Sequence, residues 1–125
     1  MIEYRTRESL TPGILEDLLT RSWDDTRGAP SLARSLTWVT AHDGEELVGF
    51  VNVAWDGGAH AFLLDTTVDP SHRRRGIGTA LVRHAIEKAR ESGAEWIHVD
   101  YEAHLGKFYE GCGFQATHAG VFRLR

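Results

Sequence analysis

Between Ala59 and Tyr101 the hydrophobic period of the chain changes from two to 3.6 and back, and few folds accommodate that order. The stretch "AHAFLLDTTVDP" predicts a strand. From Gly76 to Ser92 the apolar residues Ile77, Leu81, Ala85 and Ala89, widened by Val82 and Ile86, recur at helical spacing, and Gly93 supplies a stop. "AEWIHVDY" then predicts a second strand. Strand, helix and strand in succession require a crossover, right-handed by the general rule, that sets the two strands side by side and parallel.

Upstream, the chain predicts the opposite kind of pairing. β-rich runs in "TWVTAHDGEELVGFVNVAWDGGAHAFLLDTTV" are separated by His42-Asp43-Gly44 and Asp56-Gly57-Gly58, the residue types of tight hairpin turns, which gives three consecutive antiparallel strands. "IEYRTRES" alternates well enough for a strand before them. "TPGILEDLLTRSW" predicts a short helix with Thr11 as N-cap, Pro12 at the first helical position, and Ile14, Leu15, Leu18 and Leu19 as its apolar stripe. "DDTRGAPS" reads as a loop, followed by a short helix through "SLARSL". After the second parallel strand, "EAHLGKFYEGCGF" predicts a short helix with Leu105, Phe108, Tyr109 and Cys112 on one face, and "GVFRLR" a last strand.

At 125 residues the chain has the length for one core, so a single domain over 1–125 is expected. Its 42% hydrophobic and 26% charged residues lie near the globular average and exclude wholesale disorder. No apolar run approaches the roughly 20 residues of a membrane span, and "MIEYRTRESL" lacks the apolar core of a signal peptide, so a cytoplasmic protein with no membrane partner is expected. The single Cys112 excludes an internal disulfide. A net charge of −4 argues against a nucleic-acid partner, because phosphate affinity needs net positive surface. The arginines therefore need a local explanation.

Three of them cluster in "HRRRGIG", directly before the helix. A helix start leaves backbone N–H groups without partners and carries the positive end of the macrodipole, so it attracts an anion. Gly76 and Gly78 remove side chains that would block close approach, and Arg73, Arg74 and Arg75 add charge beside the same guest. A diphosphate fits such a cradle. A Walker A loop would need Gly-Lys-Ser/Thr after four spacers, and a dinucleotide fingerprint a third glycine where Leu81 stands, so neither applies. A solvated basic turn is the plainer alternative.

Arg-x-x-Gly-x-Gly at 73–78 resembles the acetyl-CoA-binding segment of the GNAT superfamily of N-acetyltransferases. "TTVDP" at 66–70 is similar to that family's strand end before the cradle, and "FYEGCGF" at 108–114 to its Phe/Leu-Tyr-x-x-x-Gly-Phe segment. In this order the motifs and their connecting elements cover most of the chain. The resemblance implies an α/β fold with a mixed, mostly antiparallel central sheet, a splayed parallel pair, and helices on both faces. It implies acetyl-CoA (coenzyme A) as cofactor. Backbone groups of Thr66, Thr67 and Val68 would pair with the pantetheine arm like an added strand, and the N–H groups of Arg74, Arg75, Gly76, Ile77, Gly78 and Thr79 would hold the pyrophosphate. In that family the strand ending near Val68 bulges and splays from its neighbour, here "WIHV", and the thioester enters the gap. Where many members carry an Asn near the start of the last helix, this chain offers Glu102 or His104.

Acetyl transfer to an amine needs a free-base nucleophile and a proton for the departing thiolate. An alkylamine of pKa about 10.4 is free base in about one molecule in 2500 at pH 7, so a base or a desolvating site is expected. A phenol of pKa about 10 can protonate a thiolate whose thiol has a pKa of about 8.5. The resemblance makes Tyr109 that phenol, although its place on an apolar stripe also suits simple packing. For the base, Trp96, His98 and Asp100 share one strand face, and His98 corresponds to a position where some members carry a Glu. His98 also suits a solvent-facing or core imidazole, and Asp65, Asp100 and water are rival bases. His98, Asp100, Glu102 and His104 alternate like a metal strip, but the alternation has to give way to helix past Tyr101, so no metal is expected. Cys112 lies on the core stripe as a small hydrophobe.

In that family the segment after the first helix walls the acceptor site. Here it brings Trp23, Asp24 and Asp25, whose charge and aromatic face can draw in a cationic amine; a packed Trp and an N-cap Asp are the plain alternative. The expected function is acetyl-CoA-dependent transfer of an acetyl group to a primary amine of a small molecule or a protein. A non-catalytic acyl-CoA-binding sensor or interaction module is the second reading, and it has no need of a phenol beside the sulfur. Family members often pair through their last strands, so the resemblance also allows a homodimer through "HAGVFRLR".

Overall fold

The structure, a computed structural model, describes residues 1–23 and 28–125. Five strands form one sheet in the order β1-β2-β3-β4-β5: β1 Ile2–Thr6, β2 Ser35–Asp43, β3 Glu46–Trp55, β4 His60–Val68 and β5 Trp96–Val99. The first four are antiparallel neighbours, and β5 joins β4 in parallel, as the crossover requires. Helices α1 Pro12–Trp23, α2 Ile77–Ser92 and α3 Gly106–Gly111 lie between or after them. Both hairpin turns fall where their glycines predict, with Gly44 at φ 62° and Gly57 at φ 91°, a region glycine enters without strain. No helix among the described residues is long and apolar enough to cross a membrane.

Each face of the sheet carries its own apolar cluster. On one, Val39, Val51, Val53, Ala61 and Leu63 pack with Ile77, Leu81 and Ala85 of α2, and Tyr109 of α3 joins them. On the other, Leu47 and Phe50 receive Leu15, Leu18 and Leu19 of α1. Each such leucine, withdrawn from water, contributes about 1.5–3 kcal/mol. A β-bulge makes the division possible: Ala41 pairs with Gly49 but His42 with Leu47, so Val48 is an extra residue on β3. Leu47 therefore turns to the α1 face instead of sharing that of Gly49 and Val51. Gly49 lets α2 approach, because a Cβ there would stand 3.0 Å from Leu81 and 3.2 Å from Ile77. Past the reach of α1 the second face stays open, and Phe62, Leu64 and Trp96 are 47%, 41% and 61% exposed.

Three expectations are corrected. "SLARSL" is a turn followed by β2, because Ser35 pairs with Ala54 of β3. Ile14 is exposed, so the expected stripe of α1 is buried at Leu15, Leu18 and Leu19 but not at Ile14. "GVFRLR" forms no strand: residues 114–125 belong to no regular element, and Val121, Phe122 and Leu124 are exposed. Apolar and β-branched residues make a strand only where a neighbouring edge and a half-buried face receive them.

Candidate active site

β4 is zipped to β5 for part of its length. The parallel register runs His60↔Trp96, Ala61↔Ile97, Phe62↔His98 and Leu63↔Val99, while β4 continues to Val68 against β3. On the β5 side, strand pairing among the described residues ends at Leu63. Where the strands part, β4 bulges. Phe50 pairs with Thr67 and Asn52 with Leu64, two steps on β3 against three on β4, and Asp65 takes φ 58°. The extra residue inverts the remainder of the strand: Thr66, which would otherwise share the face of Phe62 and Leu64, turns toward α2, and Thr67 toward α1.

Each threonine holds an aromatic side chain. Tyr109, 5% exposed in the α2-side core, hydrogen-bonds through its hydroxyl to Thr66. Its ring stacks on Tyr101 at 4.9 Å between centroids and stands edge-on to Phe108 and Phe114. Burial pushes the phenol above its ordinary pKa against the opposing pull of the Thr66 bond, so the hydroxyl keeps its proton at neutral pH. On the other face Trp23, at the end of α1, donates its indole N–H to Thr67 Oγ1 at 3.0 Å, and Thr67 donates to the Asp65 carbonyl at 2.8 Å, bracing the bulge. Asp24 and Asp25 lie outside the described residues. His98 is half-buried on this same face, stacked on Phe62, with its Nε2 2.7 Å from Nδ1 of His60. Asp100 lies past the end of β5 and is exposed. Asn52, opposite Leu64 in register and 4% exposed, leaves its Oδ1 without a partner among the described residues.

Beyond the bulge the chain turns into α2 through a clamp. Asp69 caps one 3-10 turn, Pro70–His72. Arg21 of α1 bonds Asp69 at 2.6 Å, His72 bonds it at 2.8 Å, and His72 also reaches Asp43 at the end of β2 at 3.0 Å. Burial works to raise the Asp69 pKa, but the donors Arg21, Ser71 and His72 outweigh it and hold the carboxyl far below its usual range. Hydrogen bonds to Asp69 and Asp43 raise the pKa of His72 in return.

Arg74 at φ 65° and Gly76 at φ 79° then lead into α2, whose N-cap Gly76 offers no side-chain cap. An α-helix has no internal partner for its first N–H groups, so those of Ile77, Gly78 and Thr79 are presented outward. The two glycines serve different ends. Gly76 is required by its φ, since a Cβ there would meet nothing within 4 Å, whereas a Cβ on Gly78 would press on the Phe108 ring at 3.2 Å. Arg74 and Arg75 are exposed at this end. Arg73 departs from the expected cluster of charge: its guanidinium donates to the Ser22 carbonyl at 3.0 Å and the Val68 carbonyl at 3.3 Å, a strut between α1 and the end of β4.

The acetyltransferase (GNAT) family profile matches residues 4–114. The chain belongs to the GNAT acetyltransferase family. The mycothiol acetyltransferase of Nocardia farcinica is 41% identical over 76 residues, which are 61% of this chain and 24% of that relative, so the chain spans about a quarter of its length. A GNAT-family acetyltransferase from Streptococcus pneumoniae shares the fold over the whole of both chains, with TM-score 0.80 and 25% identity. AAC(6′)-Iy, solved with the bisubstrate analogue CoA-S-monomethyl-acetylneamine, matches in fold at TM-score 0.78 and 18% identity, over all of this chain and 98% of its own.

The GNAT cofactor is acetyl-CoA, and the residues present fit it. The uncapped, glycine-led start of α2 suits a diphosphate. The open edge of β4 past Leu63 suits an arm that carries amides. Past the last β4–β5 pair, a protonated phenol lies beside β4 at Thr66, which suits a departing thiolate. Sequence reasoning missed the Thr66 hydroxyl, the clamp around Asp69, and His60. His60 lies two residues before Phe62 on the predicted strand, so period two could have set it on the face of Phe62; the other two depend on the bulge and on contacts across the fold.

Proposed function

We propose that this chain, acting as one domain over 1–125, transfers the acetyl group of acetyl-CoA to a primary amine. The observation that carries the proposal is a buried, protonated Tyr109 bonded to Thr66 where β4 and β5 part. Acetyl-CoA supplies the activated acetyl thioester. N–H groups from Arg74 to Thr79 hold the diphosphate, and the backbone of Thr66, Thr67 and Val68 pairs with the amide arm. Tyr109 holds a proton for the departing thiolate on the α2 face. His98 takes the ammonium's proton on the opposite face, where Trp23 guides the amine; Asp24 and Asp25, the other expected acceptor-site residues, lie outside the described residues. With acid and base on opposite sides of the sheet, the two proton transfers do not compete. The names of the Nocardia relative and of the neamine-analogue complex support a small-molecule acceptor over a protein amino group.

The test is thiol release from acetyl-CoA with neamine, spermidine and a blocked lysine as acceptors, for the wild type and Tyr109→Phe. The wild type turns over at least one of them. Tyr109→Phe loses about 10²- to 10⁴-fold in kcat, the usual worth of a general acid, while calorimetry finds its coenzyme A affinity unchanged. Tight binding without turnover on any amine would leave a binding module and sink the proposal.

A further inference from the structure

Two imidazoles meet on the open face of the sheet, close behind the point where β4 and β5 separate. His60 pairs in register with Trp96 and Phe62 with His98, which makes His60 and His98 diagonal neighbours on adjacent parallel strands. His60 Nδ1 and His98 Nε2 are 2.7 Å apart, inside hydrogen-bond distance. Only one proton fits between two ring nitrogens, so one donates and the other accepts. Phe62 fixes the His98 ring by stacking, with centroids 4.9 Å apart and planes at 19°. The two outer nitrogens, His98 Nδ1 and His60 Nε2, have no protein partner among the described residues. His60 also lines a hollow of about 380 Å³ with Arg34, Asp56 and Phe62. Among the described residues, the charged groups nearest the pair along these elements are Arg34 and Asp56 in that hollow, Asp65 at the β4 bulge and Asp100 just past the end of β5.

We propose that His60 is the proton-relay partner of His98, and that the pair carries the acceptor's proton from the strand gap to water. The relay rests on the acetyl-transfer reading. The ammonium N–H bond breaks, its proton joins His98 Nδ1, and the amine keeps the electron pair with which it attacks. The His98 Nε2 proton passes to His60 Nδ1, and the proton of His60 Nε2 passes to water. Each ring ends neutral with its tautomer reversed, so charge is conserved and one proton has left the site. The need for a second ring is physical. Transfer from an ammonium to one imidazole is uphill by about four pKa units, so the proton returns unless it is led away. The hollow beside His60 is the way out.

The relay makes His60 and His98 one unit, which non-additivity can detect. With the best acceptor of the panel, His98→Ala lowers kcat about 100-fold and His60→Ala about 10-fold, each with the KM for acetyl-CoA unchanged. The double variant is no slower than His98→Ala alone. His60→Asn keeps a partner for His98 Nε2 but has no second ring nitrogen, so it recovers the His98 tautomer, read by imidazole ¹⁵N NMR of the full chain, without recovering the rate. The acid limb of the pH–rate profile shifts in both His60 variants. Wild-type rate and profile in His60→Ala, full rescue by His60→Asn, additive effects in the double variant, or a His98 tautomer indifferent to His60 would each overturn the relay while leaving acetyl transfer intact. Absence of wild-type turnover on every amine would instead overturn the acetyl-transfer reading, and the relay with it.

Discussion

The two halves of β4 share one backbone and differ in what they bind. From His60 to Leu63 the strand has β3 on one side and β5 on the other, and Ala61 and Leu63 are buried beneath α2. From Leu64 to Val68 its strand neighbour among the described residues is β3 alone, and its threonines are tied to Tyr109 and Trp23. One extra residue at Asp65 separates the two regimes. The rear half has strand partners on both sides, and the forward half has no strand partner on its β5 side among the described residues. A strand edge left open invites stray association, and here the bulge limits it to a short stretch.

That contrast can be broken experimentally. Leu63→Ala in the rear half should cost about 2–5 kcal/mol in urea denaturation, because Leu63 is 2% exposed in the main cluster, with coenzyme A affinity of the folded protein unchanged. A parallel loss of affinity would show the halves to be inseparable. Gly76→Val places a β-branched residue at φ 79°, and calorimetry should find coenzyme A binding weaker by about 100-fold, or about 2.7 kcal/mol. Thr66→Val removes the phenol's partner across the bulge. Turnover should fall about tenfold, with a stability loss of about 1 kcal/mol from the unpaired buried hydroxyl; an unchanged kcat would assign Thr66 to packing alone.

The smallest effect concerns the clamp just beyond the forward half. His72 has a raised pKa, so its contribution to stability is full below the ordinary imidazole value and is lost as pH rises through the raised one. Asp69 has a depressed pKa, so its contribution is full above the ordinary carboxylate value and is lost as pH falls through the depressed one. The clamp is strongest between about pH 4 and pH 6.5. The Tm of the wild type should therefore decline between pH 6 and pH 9 relative to that of His72→Gln. Parallel curves would remove His72 from the account.

Much of the fold and part of the site are legible in the sequence, for local reasons. The period change around α2, Gly93 as its stop, the glycines of both hairpins and the uncapped start at Gly76 are all set by residues close to one another. The illegible part depends on register. Trp23 meets Thr67 across 44 residues and His60 meets His98 across 38, and both contacts exist only because a bulge or a parallel pairing sets the faces. Arg73 reads as phosphate-facing charge because of its neighbours, yet Ser22 and Val68 offer it fixed carbonyls. "GVFRLR" has the composition of a strand, but composition cannot supply the edge that a strand needs.

Gly78 and Phe108 lie in direct contact, and the next residue along is Tyr109. On the proposed acetyl-transfer reading, the grip on one end of the cofactor and the proton donor at its other end would thus be bolted together at a single point, a built-in gauge of tether length. A thioester on an arm one amide shorter would be seized at its phosphates and still hang short of the hydroxyl.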